Sequence, residues 1–219
     1  LVRGQLPASG YDYDSGGRTA QEIRLALKNT LDVDHEYLLV FYHLFHQTNG
    51  GHYIFNTPYY GSGSQRGGIC HVADCGLLDP VLLMDTNQTM AFTEHYYPHM
   101  KTTVAKFNSM YLGGVAHELG PALGLPHDNG GPEEKSFGVS LMGEGNLTYH
   151  EELWGGGAPT YLGRASVLQL LSQPLFTESN RGRWDETESA FKSLKFSTTN
   201  DVVRIQGVVT GDIPPYAVI

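Results

Sequence analysis

A chain of 219 residues that is 40% hydrophobic can bury a sizeable core, as one domain or as one domain plus a fragment. Its 14 basic and 23 acidic residues leave a net charge of −9, which argues against nucleic acid or an anionic membrane as partner. No run approaches the ~18 apolar residues of a membrane span, and the opening LVRGQLPASG carries no apolar signal segment, so an export signal is expected to have been removed or to lie outside the sequence.

Taken in order, residues 1–17 are rich in Gly, Ser, Pro and Asp and read as an extended arm. Within them Asp12-Tyr13-Asp14-Ser15-Gly16 has the alternating carboxylates of a Ca²⁺ loop without the rest of that pattern, so an ordinary turn is the better reading. From Thr19, a candidate cap, Ile23, Leu27 and Leu31 are spaced for one helical face. The run Glu36–Phe45 reads as a strand buried on both faces, and His52–Phe55 as a second, short one. His43, His46 and His52 crowd there and read as hydrogen-bonded scaffold. A glycine-rich link, 60–68, leads to a strand over Gly68–Ala73, and 80–85 is a further strand candidate.

Cys70 and Cys75 sit five apart and read as a small-loop disulfide of an oxidising compartment, while a metal cluster of Cys70, His71, Asp74 and Cys75 lacks a second pair to complete it. His95 and His99 are four apart, but Pro98 between them marks a helix start rather than a helix interior. From His99 the periodicity predicts one long helix running to about Gly120.

That helix delivers the stretch around which the chain is organised, GGVAHELGPALGLPHD over 113–128. His117 and Glu118 are followed by Gly124, which can take the positive φ that reverses the chain, and then by His127 and Asp128. Ser140-Leu141-Met142-Gly143 follows, then an acidic loop with Glu144, Tyr149 and His150. Thr160 is a candidate cap for a helix through 176, and Ala190–Phe196 and Val202–Val209 alternate as strands about a turn at Thr199-Asn200-Asp201.

The row His117, Glu118, Gly124, His127, Asp128 with Met142 behind it resembles the metzincin zinc-protease signature HExxHxxGxxHD and its Met-turn. One letter departs: the second histidine, four residues after His117, is Pro121. The resemblance covers roughly residues 19–176 and implies an α+β, α/β-type layered fold. Its elements would be a twisted, mostly parallel sheet, a long active-site helix, a C-terminal helix and a short β segment beyond. It implies residues 1–185 as the catalytic domain and 186–219 as a β extension or the start of a β-sandwich. It also implies that 68–73 is the sheet-edge strand that pairs with an extended peptide.

By the same resemblance His117 and His127 ligate Zn²⁺, Glu118 is the general base, Met142 supports the metal from below and Asp128 anchors the loop. The protein is then an endopeptidase acting on peptide or protein substrates, expected to be secreted, extracellular or periplasmic, and a monomer is expected. Pro121 removes a ligand and the N–H that would bond the residue 117 carbonyl. Three readings stay open: a natural protease-like protein that has lost its metal, a single lesion in a working protease, or a site completed from elsewhere, with His150 the substitute. The rival from another class is a module that holds peptides without cutting them. A glycan-binding or adhesive role for the C-terminal strands rests only on their presence.

Overall fold

The computed structural model describes residues 1–177 and 188–212. The chain divides into two compact units, Leu1–Val167 and Leu168–Ile219. Residues 178–187, which contain the expected domain boundary at 185/186, lie outside the described residues.

In the first unit α1 spans Gly16–Leu27. It begins three residues before the expected cap, because Thr19 faces inward and its hydroxyl donates to the Gly16 carbonyl (3.0 Å). Instead Asp12 and Ser15 form a capping box around a preceding 3₁₀ turn, Tyr13–Ser15, and Asp12 Oδ1 accepts from the Ser15 hydroxyl (2.6 Å). Five strands follow: β1 Tyr37–Tyr42, β2 Phe45–Gln47, β3 His52–Phe55, β4 Tyr60–Ser64 and β5 Gly67–Ala73. The single strand expected over 36–45 is thus two strands, which belong to different sheets. β1 is not buried on both faces either: Leu39 and Phe41 point outward, 41% and 56% exposed. The near-continuous apolar run hid this one-sidedness.

Two short strands, β6 Thr89–Thr93 and β7 Met100–Thr103, precede the long helix α2, Val104–Ala122. α2 therefore starts five residues later than the periodicity suggested. Met100–Thr103 pairs antiparallel with β6, His99 turns through φ 62°, and the Thr103 hydroxyl then caps the helix by accepting from Lys106 N–H (3.1 Å). Residues 80–84 form a 3₁₀ turn, not a strand, because Pro80 opens it and Asp79 accepts from Val81 N–H. Beyond α2 come β8 Val139–Ser140, α3 Asn146–Leu153, β9 Thr160–Tyr161 and α4 Arg164–Leu171. Thr160 lies in β9, so it is not the cap of the final helix.

The strand orders are β1-β5-β4 and β2-β3-β6-β7. β1–β5, β3–β6 and β8–β9 pair in parallel, while β4–β5, β2–β3 and β6–β7 are antiparallel. The α+β class with a long central helix holds, with pairing mixed rather than mostly parallel. The core follows α2. Its first half packs Val104, Phe107 and Tyr111 on Phe55, Met90 and Phe92, with Phe107 and Tyr111 rings 4.4 Å apart. Its last turn sets Ala122 on Cys70 and Val72 of β5.

Those contacts settle the cysteines. Cys70 and Cys75 are both free and buried, Cys70 beneath α2 and Cys75 in the Phe92 cluster, so the expected disulfide is absent. The strand carries the two thiols into separate packing environments, which spacing in sequence could not reveal. Burial pushes the Cys70 thiol up to about 12. Thiol reagent added to native protein is expected to react slowly, and unfolding without reductant should release two titratable thiols; one or none would restore the disulfide.

His71 is also structural. It is 1% exposed, and its Nδ1–H donates to the Tyr42 hydroxyl (2.7 Å), which donates to Thr19 Oγ1 (2.9 Å). Burial lowers its pKa to about 4. Below pH ~6.5 the unfolded chain therefore binds a proton that the folded chain refuses, and stability falls as pH drops toward 4, by up to about 3 kcal/mol. Urea midpoints at pH 7 and pH 4.5 should show this loss, and His71→Asn should flatten it.

In the second unit α5, Pro174–Thr177, follows the end of α4, where Pro174 interrupts the helix expected through 176. β10 Ser189–Thr199 and β11 Val202–Gly211 form an antiparallel ribbon about Asn200 and Asp201, both at positive φ as a type I′ turn demands. Phe191, Phe196 and Ile205 share one exposed apolar face, with Phe196 and Ile205 66% and 61% exposed. Among the described residues no helix is long and apolar enough to cross a membrane.

Candidate active site

The last turn of α2 presents His117 and Glu118, and a Schellman motif ends it. Leu125 N–H donates to Gly120 O (3.0 Å) and Gly124 N–H to Pro121 O (2.9 Å), with Gly124 at φ 81°. The reversal returns His127 to His117. Their Nε2 atoms lie 3.1 Å apart, and the rings are stacked with centroids 5.1 Å apart. His117 Nδ1–H donates to the Leu141 carbonyl, which leaves its Nε2 lone pair directed at His127.

Met142 is fully buried beneath that turn. It fits because residue 120 is glycine: a Cβ there would overlap Met142 Sδ. The Met142 carbonyl accepts from Asp128 N–H (3.0 Å), and Asp128 Oδ1 accepts from Gly130 N–H (2.8 Å), so Asp128 anchors the returning loop.

Glu118 leans the other way, onto β4. Its Oε2 accepts from Gly61 N–H (3.0 Å), and burial raises its pKa to about 7 against the opposing pull of that N–H and of His127. The edge strand beside the site is β4 and not 68–73, as expected, because β5 is flanked on both sides, by β1 and β4. The alternation Tyr60-Gly61-Ser62-Gly63 held the signal: one face of the strand must be bare, since a Cβ at Gly61 would overlap the Glu118 carbonyl and one at Gly63 the Ala122 carbonyl. Gly61→Ala is accordingly expected to cost about 1–3 kcal/mol and to push β4 off the helix. A melting curve unchanged from the parent would contradict this packing.

Other expected residues stand apart. His150, proposed as a substitute ligand, lies buried on α3, edge-on to Trp154 (5.5 Å), where burial and then Lys106, in the first turn of α2, depress its pKa. Lys106 is eleven residues, roughly 16 Å of helix, from His117. His95 stacks on Tyr13 (4.0 Å), His52 Nε2 bonds Thr93 Oγ1 (2.8 Å), and His43 meets Phe45 edge-on. Among the described residues no group of three or more His, Cys, Asp or Glu is arranged to hold a metal ion.

The fit to zinc is therefore partial. Two imidazole nitrogens of a tetrahedral Zn²⁺ site, each ~2.05 Å from the metal, stand about 3.3 Å apart, and the observed 3.1 Å matches. The third ligand position of the signature, four residues after His117, is Pro121, which has no donor atom to offer.

Around the imidazoles opens a cavity of about 330 Å³. Tyr13, Tyr59, Tyr60, Tyr96, Tyr97 and Tyr111 line it, together with Glu94. Tyr13 and Tyr96 bridge across it through their hydroxyls (2.9 Å). Tyr13 comes from the segment read as an arm and Tyr111 from the predicted helix, while Tyr59, Glu94, Tyr96 and Tyr97 lie where no element was predicted, and nothing in their spacing marked them.

No family model matches the chain, and no curated protein does. Solved structures do. Crystal structures of wild-type OgpA from Akkermansia muciniphila superpose with TM-scores of 0.67 and 0.65 at 23% and 24% identity, covering 98% and 93% of this chain. Catalytically inactive OgpA in complex with an O-glycopeptide substrate, glycodrosocin, gives a TM-score of 0.68 at 23% identity over 98% of this chain. The chain spans 58%, 52% and 58% of those chains, so it matches just over half of their length. The similarity establishes a shared fold.

Proposed function

We propose that this chain is a peptidase of the zinc-endopeptidase type, altered at one ligand position by Pro121, and that its substrates are peptides carrying O-linked sugars. The observation that carries the reading is the meeting of His117 Nε2 and His127 Nε2 at 3.1 Å beside Glu118, with Met142 underneath. The fold shared with OgpA, which has been crystallised with an O-glycopeptide substrate, supports the substrate class.

His117 and His127 would hold the metal, with His117 fixed in the correct tautomer by the Leu141 carbonyl. Bound Zn²⁺ supplies Lewis acidity, lowering the pKa of a water toward ~7 and polarising the scissile carbonyl. Glu118, itself poised at about 7, takes a proton from water and returns it to the leaving amine. β4 receives the substrate as an added strand. A substrate carbonyl that takes the Gly61 N–H displaces Glu118 Oε2, so docking frees the base. Within this reading residues 1–185 form the catalytic domain and 186–219 a β extension. Secretion follows from the resemblance to secreted proteases, and the free thiols add no disulfide as a mark of an oxidising compartment.

Pro121 favours a second reading, a cleft that holds peptides without cutting them. The test compares the chain, Pro121→His, and Pro121→His with Glu118→Gln for zinc content and for hydrolysis of casein and a glycopeptide. Cleavage by the single variant, lost in the double, supports the peptidase reading; a zinc-loaded single variant that binds peptide but cleaves nothing leaves the binding module.

A further inference from the structure

Glu94 lies on the loop between β6 and β7, across the cavity from α2, and belongs to neither the ligand set nor the base. Its own loop fixes it: Oε1 accepts from Tyr96 N–H (2.8 Å), and Glu94 N–H donates to the Tyr97 carbonyl (3.3 Å). Backbone N–H groups of that loop, from Tyr96, Tyr97 and His95, hold its carboxylate, and among the described residues the cavity lining contains neither Lys nor Arg. Tyrosine rings, Tyr59, Tyr97 and Tyr111 among them, flank it. A half-buried carboxylate offers about four acceptor sites, more than those three N–H groups fill, so it can still meet a ligand donor from the cavity.

We propose that Glu94 is a specificity-determining residue, whose carboxylate accepts a hydrogen bond from a hydroxyl of a sugar on the substrate side chain while the sugar's C–H face lies on the tyrosine rings. The inference rests on the glycopeptide reading above. Two features of the cavity select this class. Aromatic faces suit the apolar face of a pyranose and a fixed acceptor suits its polar edge, whereas an apolar side chain would leave that acceptor unused.

Binding to the chain as it stands, by titration calorimetry, tests this with three peptides identical except at one position: threonine, threonine bearing one O-linked hexosamine, and lysine. The glycosylated peptide is expected to bind at least about tenfold tighter than plain threonine, the worth of one hydrogen bond to a charged group. Glu94→Leu should abolish that preference and leave the plain peptide within about twofold, which also certifies its fold. The isosteric Glu94→Gln, offering a donor in place of an acceptor, should lose most of it. A preference unchanged in both variants, or a lysine peptide that outbinds the glycosylated one, overturns the role of Glu94 and spares the peptide reading. No binding of any of the three overturns both.

Discussion

Pro121→His is expected to turn a feeble zinc binder into a stoichiometric zinc protein that hydrolyses peptides. The two imidazoles present already stand at the separation a tetrahedral ion requires, and residue 121 follows His117 by one helical turn on the same face. Four-ligand zinc sites yield about 10–16 kcal/mol, or ~3–4 kcal/mol per ligand, so one restored imidazole should raise affinity by about 10²–10³-fold. The substitution also restores an N–H for the His117 carbonyl and relieves ring crowding in the last helical turn, so the metal-free variant should be no less stable than the parent. Competition against a chelator gives the affinity, and release of fluorescent fragments from casein gives the activity. Unchanged affinity would sink the idea that 121 is the vacated ligand position.

Met142→Ala is expected to be the most destabilising single change near the site, by about 3 kcal/mol within the 2–5 range for a buried methionine. Met142 is fully enclosed, presses on Gly120 and lends its carbonyl to Asp128 N–H, so the cavity left behind would loosen both the helix end and the returning loop. For a chain of this size that amounts to roughly 6–12 °C in melting temperature. In the Pro121→His background it should also weaken zinc binding, because His117 and His127 lose their common floor. A drop in stability without loss of zinc affinity would confine Met142 to packing.

How far the sequence led depends on whether a feature is local. The i to i+4 geometry of a helix, the left-handed residue at Gly124 and the short path from there to His127 span only eleven residues, so their letters constrain one another and the site could be read from them. The Asn200-Asp201 hairpin was legible for the same reason: its turn chemistry and flanking alternation are contiguous. The errors had a common origin. The run 36–45 looked doubly buried because hydrophobicity does not say what covers a face, and in the structure Leu39 and Phe41 are uncovered. The 60–68 segment looked like a link because its glycines were read as breakers, although they make room for α2 to approach.

By itself the sequence determined the two imidazoles, the carboxylate between them, the methionine that follows and the anomaly at Pro121, all consequences of short-range periodicity and turn chemistry. Only tertiary structure decided which strand borders the site, where Cys70, Cys75 and His150 reside, and that Tyr13, Glu94 and Tyr96 wall one cavity with α2. Those relations join residues tens of positions apart, and they are set by which faces find complementary packing, a quantity that no local pattern of letters encodes.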